Sequence, residues 1–237
     1  MRMNKKIKIT LFSLVLGTST ISAQTTFNEL TYTKEVSSFK LNAPSKAKSV
    51  KVNIYKEGVG GEVVKTVKMK RTGNDLWTAD IKGDLKGMFY TFQVETKKQK
   101  MNETPGVFAK AVGVNGRRAA IIDMQETNPE GWCCDQRPLT KQPTDLVIYE
   151  MHHRDFSVSP TSGLEHKGKF LALTEPKAVY HLKNLGVNAI HILPSYDYAS
   201  VDESKPDVPQ YNWGYDPLNY NVPEGSYSTN AACPIAR

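Results

Sequence analysis

The sequence predicts a multidomain β plus α/β chain, an antiparallel β-sandwich followed by the opening of a parallel α/β domain. Three observations carry that reading. Apolar and polar residues alternate in short runs between turn signals from residue 25 to about 143. Residues 144–157 and 187–198 each hold a brief apolar run rich in β-formers, with a helical pattern between them. The second run leads into YNWGYDP, residues 211–217, whose rings stand among Asn, Asp, Gly and Pro, the composition of a loop.

At the N-terminus, Arg2, Lys5, Lys6 and Lys8 precede an apolar run over 9–16, and small residues end at Ala23. This is the layout of a secretory signal peptide over 1–23, too short for a bilayer anchor. A buried N-terminal helix is the competing reading. Cleavage would give an exported protein, periplasmic or extracellular, with no membrane anchor. The chain carries +7, and without the four basic side chains of 1–23 it carries +3, so its basicity is partly an export signal. No Lys/Arg cluster interleaves with aromatics, which argues against a nucleic-acid partner.

The segment 25–143 reads as a sandwich module with a connector. Val50, Val52 and Ile54 share one strand face, as do Trp77, Ala79 and Ile81, and Met88, Tyr90, Phe92 and Val94. EGVGGE, RTGND and KGDLKG supply the turns, giving a two-layer, immunoglobulin-like arrangement. Trp77 could offer a ring to a ligand, but its register with Ala79 and Ile81 favours the core. The Pro, Gly and Asn residues of 103–132 mark a connector and not a third domain. Cys133 and Cys134 are adjacent, and α-carbons about 3.8 Å apart disfavour a vicinal bridge. Either could pair with Cys233, but three cysteines without a CxxC spacing favour free thiols and no zinc site.

From 144 to 237 the pattern is strand, helix, strand. Thr174 can cap the helix, Pro176 falls in its first turn, Val179, Leu182 and Leu185 recur on one face, and Gly186 ends it. The aromatic loop then lies at the carboxyl end of the second strand. Tyr211, Trp213, Tyr215 and Tyr220 stand beside amide and carboxylate groups, which suits a sugar: its C–H face packs on a ring while its hydroxyls need fixed donors and acceptors. The alternative is a surface loop whose rings tuck back into the fold. His152 and His153, as strand neighbours, would face opposite ways and could not ligate one metal.

VIYEMHHRDFS, LKNLGVNAIHILPSYDY and YNWGYDPLNYNVPEGSYSTN resemble the start of the catalytic barrel of type I pullulanases, the α-1,6-debranching members of the α-amylase superfamily, glycoside hydrolase family 13. All seven positions of YNWGYDP match the family pattern, while His153 departs from an expected aliphatic residue. The resemblance reaches back to about Thr26, because the family carries a carbohydrate-binding-like sandwich before its barrel. It implies that 144–237 begins a (β/α)8 TIM barrel and that the partner is an α-glucan such as pullulan, amylopectin or glycogen. The implied substrate-binding residues are Tyr211, Asn212, Trp213, Tyr215 and Asp216. Tyr215 would stack on the sugar losing its leaving group, Asp216 would hydrogen-bond in or beside the site, and Asn212 and Trp213 would fix the loop's shape. For Asp216 a loop-closing Asx turn is the alternative. Glu150, His152, Arg154 and Asp155 could line the barrel mouth, Arg154 and Asp155 being better placed for structural ion pairs. No cofactor or metal ligand is expected; calcium is possible, although no pattern in the sequence indicates it.

Retaining glycoside hydrolysis needs a carboxylate nucleophile and a carboxylic acid about 5 to 5.5 Å apart. In the resembled family these follow the fourth and fifth barrel strands, with a further aspartate after the seventh. Residues 145–237 number 93, against about 250 for a full barrel. After GSYSTN, Ala231, Ala232 and Cys233 depart from the family pattern, whereas Pro234 and Arg237 keep it. The expectation is therefore a truncated, N-terminal portion without catalytic carboxylates, inactive alone. A non-catalytic glycan-binding protein and an exported sandwich with no carbohydrate role are the alternatives.

Overall fold

The computed structural model describes residues 27–139 and 142–237, so the signal-peptide reading of 1–23 lies outside the described residues. In chain order the first strands are β1 (Leu30–Tyr32), β2 (Val36–Asn42), β3 (Ala47–Tyr55), β4 (Val63–Lys68), β5 (Lys70–Arg71), β6 (Leu76–Lys82), β7 (Phe89–Thr96) and β8 (Ala119–Ala120). They form two four-stranded antiparallel sheets, ordered β1-β2-β6-β5 and β4-β3-β7-β8. The period-two pattern explains their apposition: Val50, Val52, Ile54, Tyr90 and Phe92 meet Phe39, Leu41, Trp77 and Ile81 in one core. Trp77 is a core residue, so the ligand-ring alternative for it falls.

The connector is more than a tether. Ala109, Val112, Ala119 and Ile121 enter the sandwich core, while Ala111, Ala120 and Ile122 cover Tyr55 and Phe89 on the outer face of β3 and β7. A strand whose alternate residues are buried on both faces gives no polar/apolar alternation, which hides it from a period-two reading. Cys133 and Cys134 are exposed free thiols, and Cys233 is a half-buried one.

Beyond residue 142, β9 (Ile148–Met151) and β10 (Ala189–Ile192) pair in parallel, Ala189 opposite Ile148 and Ile192 opposite Met151. A short helix α1 (His153–Ser157) follows β9, and α2 (Pro176–Asn184) precedes β10, giving the expected strand, helix, strand order. Thr174 does not cap α2: it closes a preceding 3-10 turn, its hydroxyl donating to the Leu171 carbonyl at 2.8 Å, and Glu175 is the N-cap residue. Pro176 at the start and Gly186 (φ +76°) past the end fall as expected. The buried face is Ala178 and Leu182, whereas Val179 and Leu185 are exposed. Ala178 and Leu182 are spaced i, i+4, and a small alanine carries too little hydrophobicity to reveal that face in sequence. Val147, Ile148 and Ile190 are also exposed, so described residues do not cover both faces of the parallel pair.

An unexpected hairpin completes the fold. β11 (Tyr196–Tyr198) pairs antiparallel with β12 (Pro217–Pro223), so the stretch after YNWGYD is a strand and the loop 199–216 is the hairpin connection.

Candidate functional site

The aromatic loop is pinned from within. Asn212 is buried; its Nδ2 donates to Ser200 Oγ and, at 3.1 Å, to Asp216 Oδ1, while its Oδ1 accepts the Gly214 N–H. Gly214 has φ +83°, and a Cβ there would stand 2.6 Å from the Pro194 carbonyl oxygen, so the loop packs directly on the chain leaving β10. The rings point away from this staple. Tyr211, Trp213, Tyr215 and Tyr220 are 83, 57, 65 and 68% exposed, which removes the reading in which they tuck back into the fold. Tyr211 and Trp213 lie 6.4 Å apart at an interplanar angle of 51°, and Tyr220 sits 5.1 Å from Tyr196. Asn212 therefore holds the loop from within, whereas Trp213 stands exposed with its ring beside Tyr211. The Asp216 carboxylate accepts the Asn212 amide yet stays partly exposed, so a loop-closing role leaves it able to meet a ligand.

The residues after β9 lie beneath the loop. Because the strand ends at Met151, His152 and His153 are not opposed strand neighbours: His152 is the N-cap of α1, and both rings pack around Tyr227, with centroids 5.7 and 5.2 Å away. The opposite-faces argument against a shared ligand thus does not describe them. His152 Nε2 lies 2.8 Å from the buried Tyr227 hydroxyl, and burial lowers its pKa against the pull of Asp155. Burial, then the neighbouring His152, push His153 down to about 4. Arg154 has no acidic partner among the described residues; it donates to the Gln210 carbonyl at 2.7 Å and to Ser226 Oγ at 3.2 Å. Asp155 faces His152 Nδ1 at 3.6 Å, and Glu150 pairs with His191 on the adjacent strand at 3.1 Å. A cleft of about 590 Å³ beside the loop is lined by Arg154, Lys169, Asp202, Gln210 and Ser226 among others.

One constellation has no sequence motif. Asp197, Glu203 and Glu224, all buried, bring one carboxylate oxygen each within 4.8 Å of one another. The Arg237 guanidinium lies among them, donating to Asp197 and, at 2.9 and 2.6 Å, to Glu203, and also to the Pro223 and Gly113 carbonyls. Burial pushes Asp197 up to about 6, opposed mainly by Arg237; burial and Glu203 push Glu224 up to about 7. That spacing suits a divalent cation too, but here the positive charge is the arginine's. Asp197 and Glu224 lie in the stretches quoted above for the resemblance, but the members are scattered over positions 197 to 237 at no repeating interval, so no spacing announces that they meet.

No family model matches the chain. The Bacillus subtilis (strain 168) pullulanase is 37% identical over 215 residues, covering 87% of this chain and 29% of that protein. The apo pullulanase of Paenibacillus barengoltzii superposes with a TM-score of 0.86 at 47% identity, over 90% of this chain and 34% of that one. The chain is related to the type I pullulanases. It spans about a third of the length of these pullulanases and matches their N-terminal part. The same P. barengoltzii pullulanase has been solved in complex with maltohexaose and α-cyclodextrin, again with a TM-score of 0.86.

Proposed function

We propose that this chain is part of an exported α-glucan debranching hydrolase acting on α-1,6-glucosidic bonds, and that its loop 211–217 contacts the glucan beside the cleaved bond. The observation that carries this is the outward display of Tyr211, Trp213 and Tyr215 from a loop stapled by Asn212 at the carboxyl end of β10. Parallel α/β enzymes gather their chemistry at that end of their strands, and on this reading β9, α2 and β10 open a barrel. The Tyr215 face stabilises the oxocarbenium-like charge that develops as the leaving group departs, and Asp216 holds a sugar hydroxyl. The maltooligosaccharide complexes of the Paenibacillus relative support an α-glucan as the ligand.

A second reading, glycan binding without hydrolysis by these 237 residues, draws on a specific observation. Of the three close-set buried carboxylates among the described residues, Asp197 and Glu203 are engaged by Arg237 and Glu224 accepts the Tyr198 and Ser226 N–H groups, which leaves none free to attack a glucan or protonate its leaving oxygen. The nucleophile and acid of the complete reaction would then come from further barrel strands. Titration of the purified chain with maltotetraose and α-cyclodextrin, followed by Trp fluorescence, tests the binding half; failure of both to bind removes the glucan assignment. Incubation with pullulan and amylopectin should release no reducing ends above a boiled control, and release at enzymatic rates would overturn the second reading.

A further inference from the structure

Asn115 is the one non-glycine residue among those described with a positive φ, 59°. It sits in the 3-10 turn Val114–Gly116, which projects from the sandwich against the hairpin carrying the aromatic loop. Its backbone N–H donates to Glu203 Oε2 at 2.6 Å, its Oδ1 accepts the Glu203 N–H at 2.7 Å, and its Nδ2 donates to Asp202 Oδ1 at 2.9 Å. One residue of the sandwich thereby fixes two consecutive residues of the loop 199–216. Asparagine is among the few residues that accept the left-handed region, and its amide both accepts and donates.

The contacts continue toward the rings. The Asp202 N–H donates to Gln210 Oε1 at 2.7 Å, and Gln210 Nε2 returns bonds to the carbonyls of Asp202 at 3.1 Å and Lys205 at 3.3 Å. The Gln210 carbonyl, in the peptide leading to Tyr211, is held by Arg154 at 2.7 Å. Gly116 lies against the side chains of Asp197 and Asn219, whose Nδ2 donates to the Gly116 carbonyl at 3.1 Å. The turn is therefore seated on both sides of the loop's base.

We infer that Asn115 is a positioning residue for the aromatic loop, holding the Asp202–Gln210 strap in the register that sets where Tyr211, Trp213 and Tyr215 stand. The consequence for ligand rests on the α-glucan reading above: through Asn115 the sandwich serves the site by shaping it.

Hydrogen exchange by mass spectrometry on the 237-residue chain, with maltotetraose titrations alongside, tests this. Asn115→Gly keeps the backbone conformation and removes both amide contacts. Amides of 201–216 should exchange about tenfold faster, with those of β3, β7 and α2 unchanged, and maltotetraose affinity should fall several-fold. Gln210→Ala, which leaves the Asn115–Glu203 contacts intact, should loosen 211–216 while 113–117 keeps its protection; it keeps the inference testable if Asn115→Gly folds poorly. Faster exchange confined to 113–117 and 202–203, with 210–216 unmoved, would make Asn115 a seam residue only and overturn the inference. Loop exchange that responds in a chain whose parent binds no maltotetraose would sustain the positioning role and sink the glucan reading instead.

Discussion

Tyr215 offers an exposed face from a loop whose curvature is set by another residue, so replacing it removes a contact surface without removing a support. In a complete enzyme Tyr215→Ala should lower kcat/KM for α-glucan at least tenfold, about 1.4 kcal/mol, because a stack that strengthens with developing charge acts on the transition state. Tyr215→Phe should be much milder, and unchanged kinetics in the alanine variant would leave the ring without a catalytic part. Asn212→Ala should behave differently. It strips the Gly214 N–H and Asp216 of a partner inside the fold, costing about 1 to 3 kcal/mol of stability, read as a lower thermal midpoint. Sequence composition was enough to see these residues as one ring-bearing loop, because Gly, Pro and Asn announce turns locally. Which of them points inward was not visible, since Asn212 is buried by Ser200, twelve positions away.

Among the elements, the sandwich strands were legible because a half-buried strand writes its two faces into alternate residues. The parallel pair and its helix were legible in kind but not in face: α2 buries Ala178 where the more hydrophobic Val179 invites the opposite assignment. The hairpin of β11 and β12 was missed because β12 runs through asparagines and prolines that ordinarily signal loop. The connector makes a sharper prediction. A segment spanning 25–140 should fold alone, with a β-type circular-dichroism spectrum. One ending at Glu103 should not, because it loses Ala109, Val112, Ala119 and Ile121 from the core. A helical spectrum from the longer segment, or a cooperative melt from the shorter, would contradict this account of the module.

At the scale of the whole molecule, one guanidinium among three buried carboxylates ties the sandwich connector to the hairpin, and its energetics depend on pH. Asp197 at about 6 and Glu224 at about 7 stand above their unfolded values, which are about 3.9 and 4.3. Raised acids bind protons more tightly in the folded chain. Their contribution is fully present below about pH 4 and is lost as pH rises toward 7. His153, lowered to about 4, has the opposite sign: its stabilisation is present above its unfolded value and is lost as pH falls toward 4. A single pH profile mixes the two, but the difference between the parent and Arg237→Met isolates the carboxylates, because the histidine contribution cancels. Without the guanidinium, Asp197 loses the charge that opposes its upward shift. The variant's deficit should reach about 3 to 5 kcal/mol at pH 8, the cost of breaking a buried pair and leaving charge unpaired. At pH 5, where Asp197 and Glu224 can take up protons instead, the deficit should shrink to a smaller part of that. Thermal or urea midpoints of both chains at pH 5, 6, 7 and 8 provide the measurement. A deficit that is constant across the series would mean that Arg237 contributes packing and backbone hydrogen bonds but no charge compensation, and the electrostatic account of this cluster would have to be abandoned.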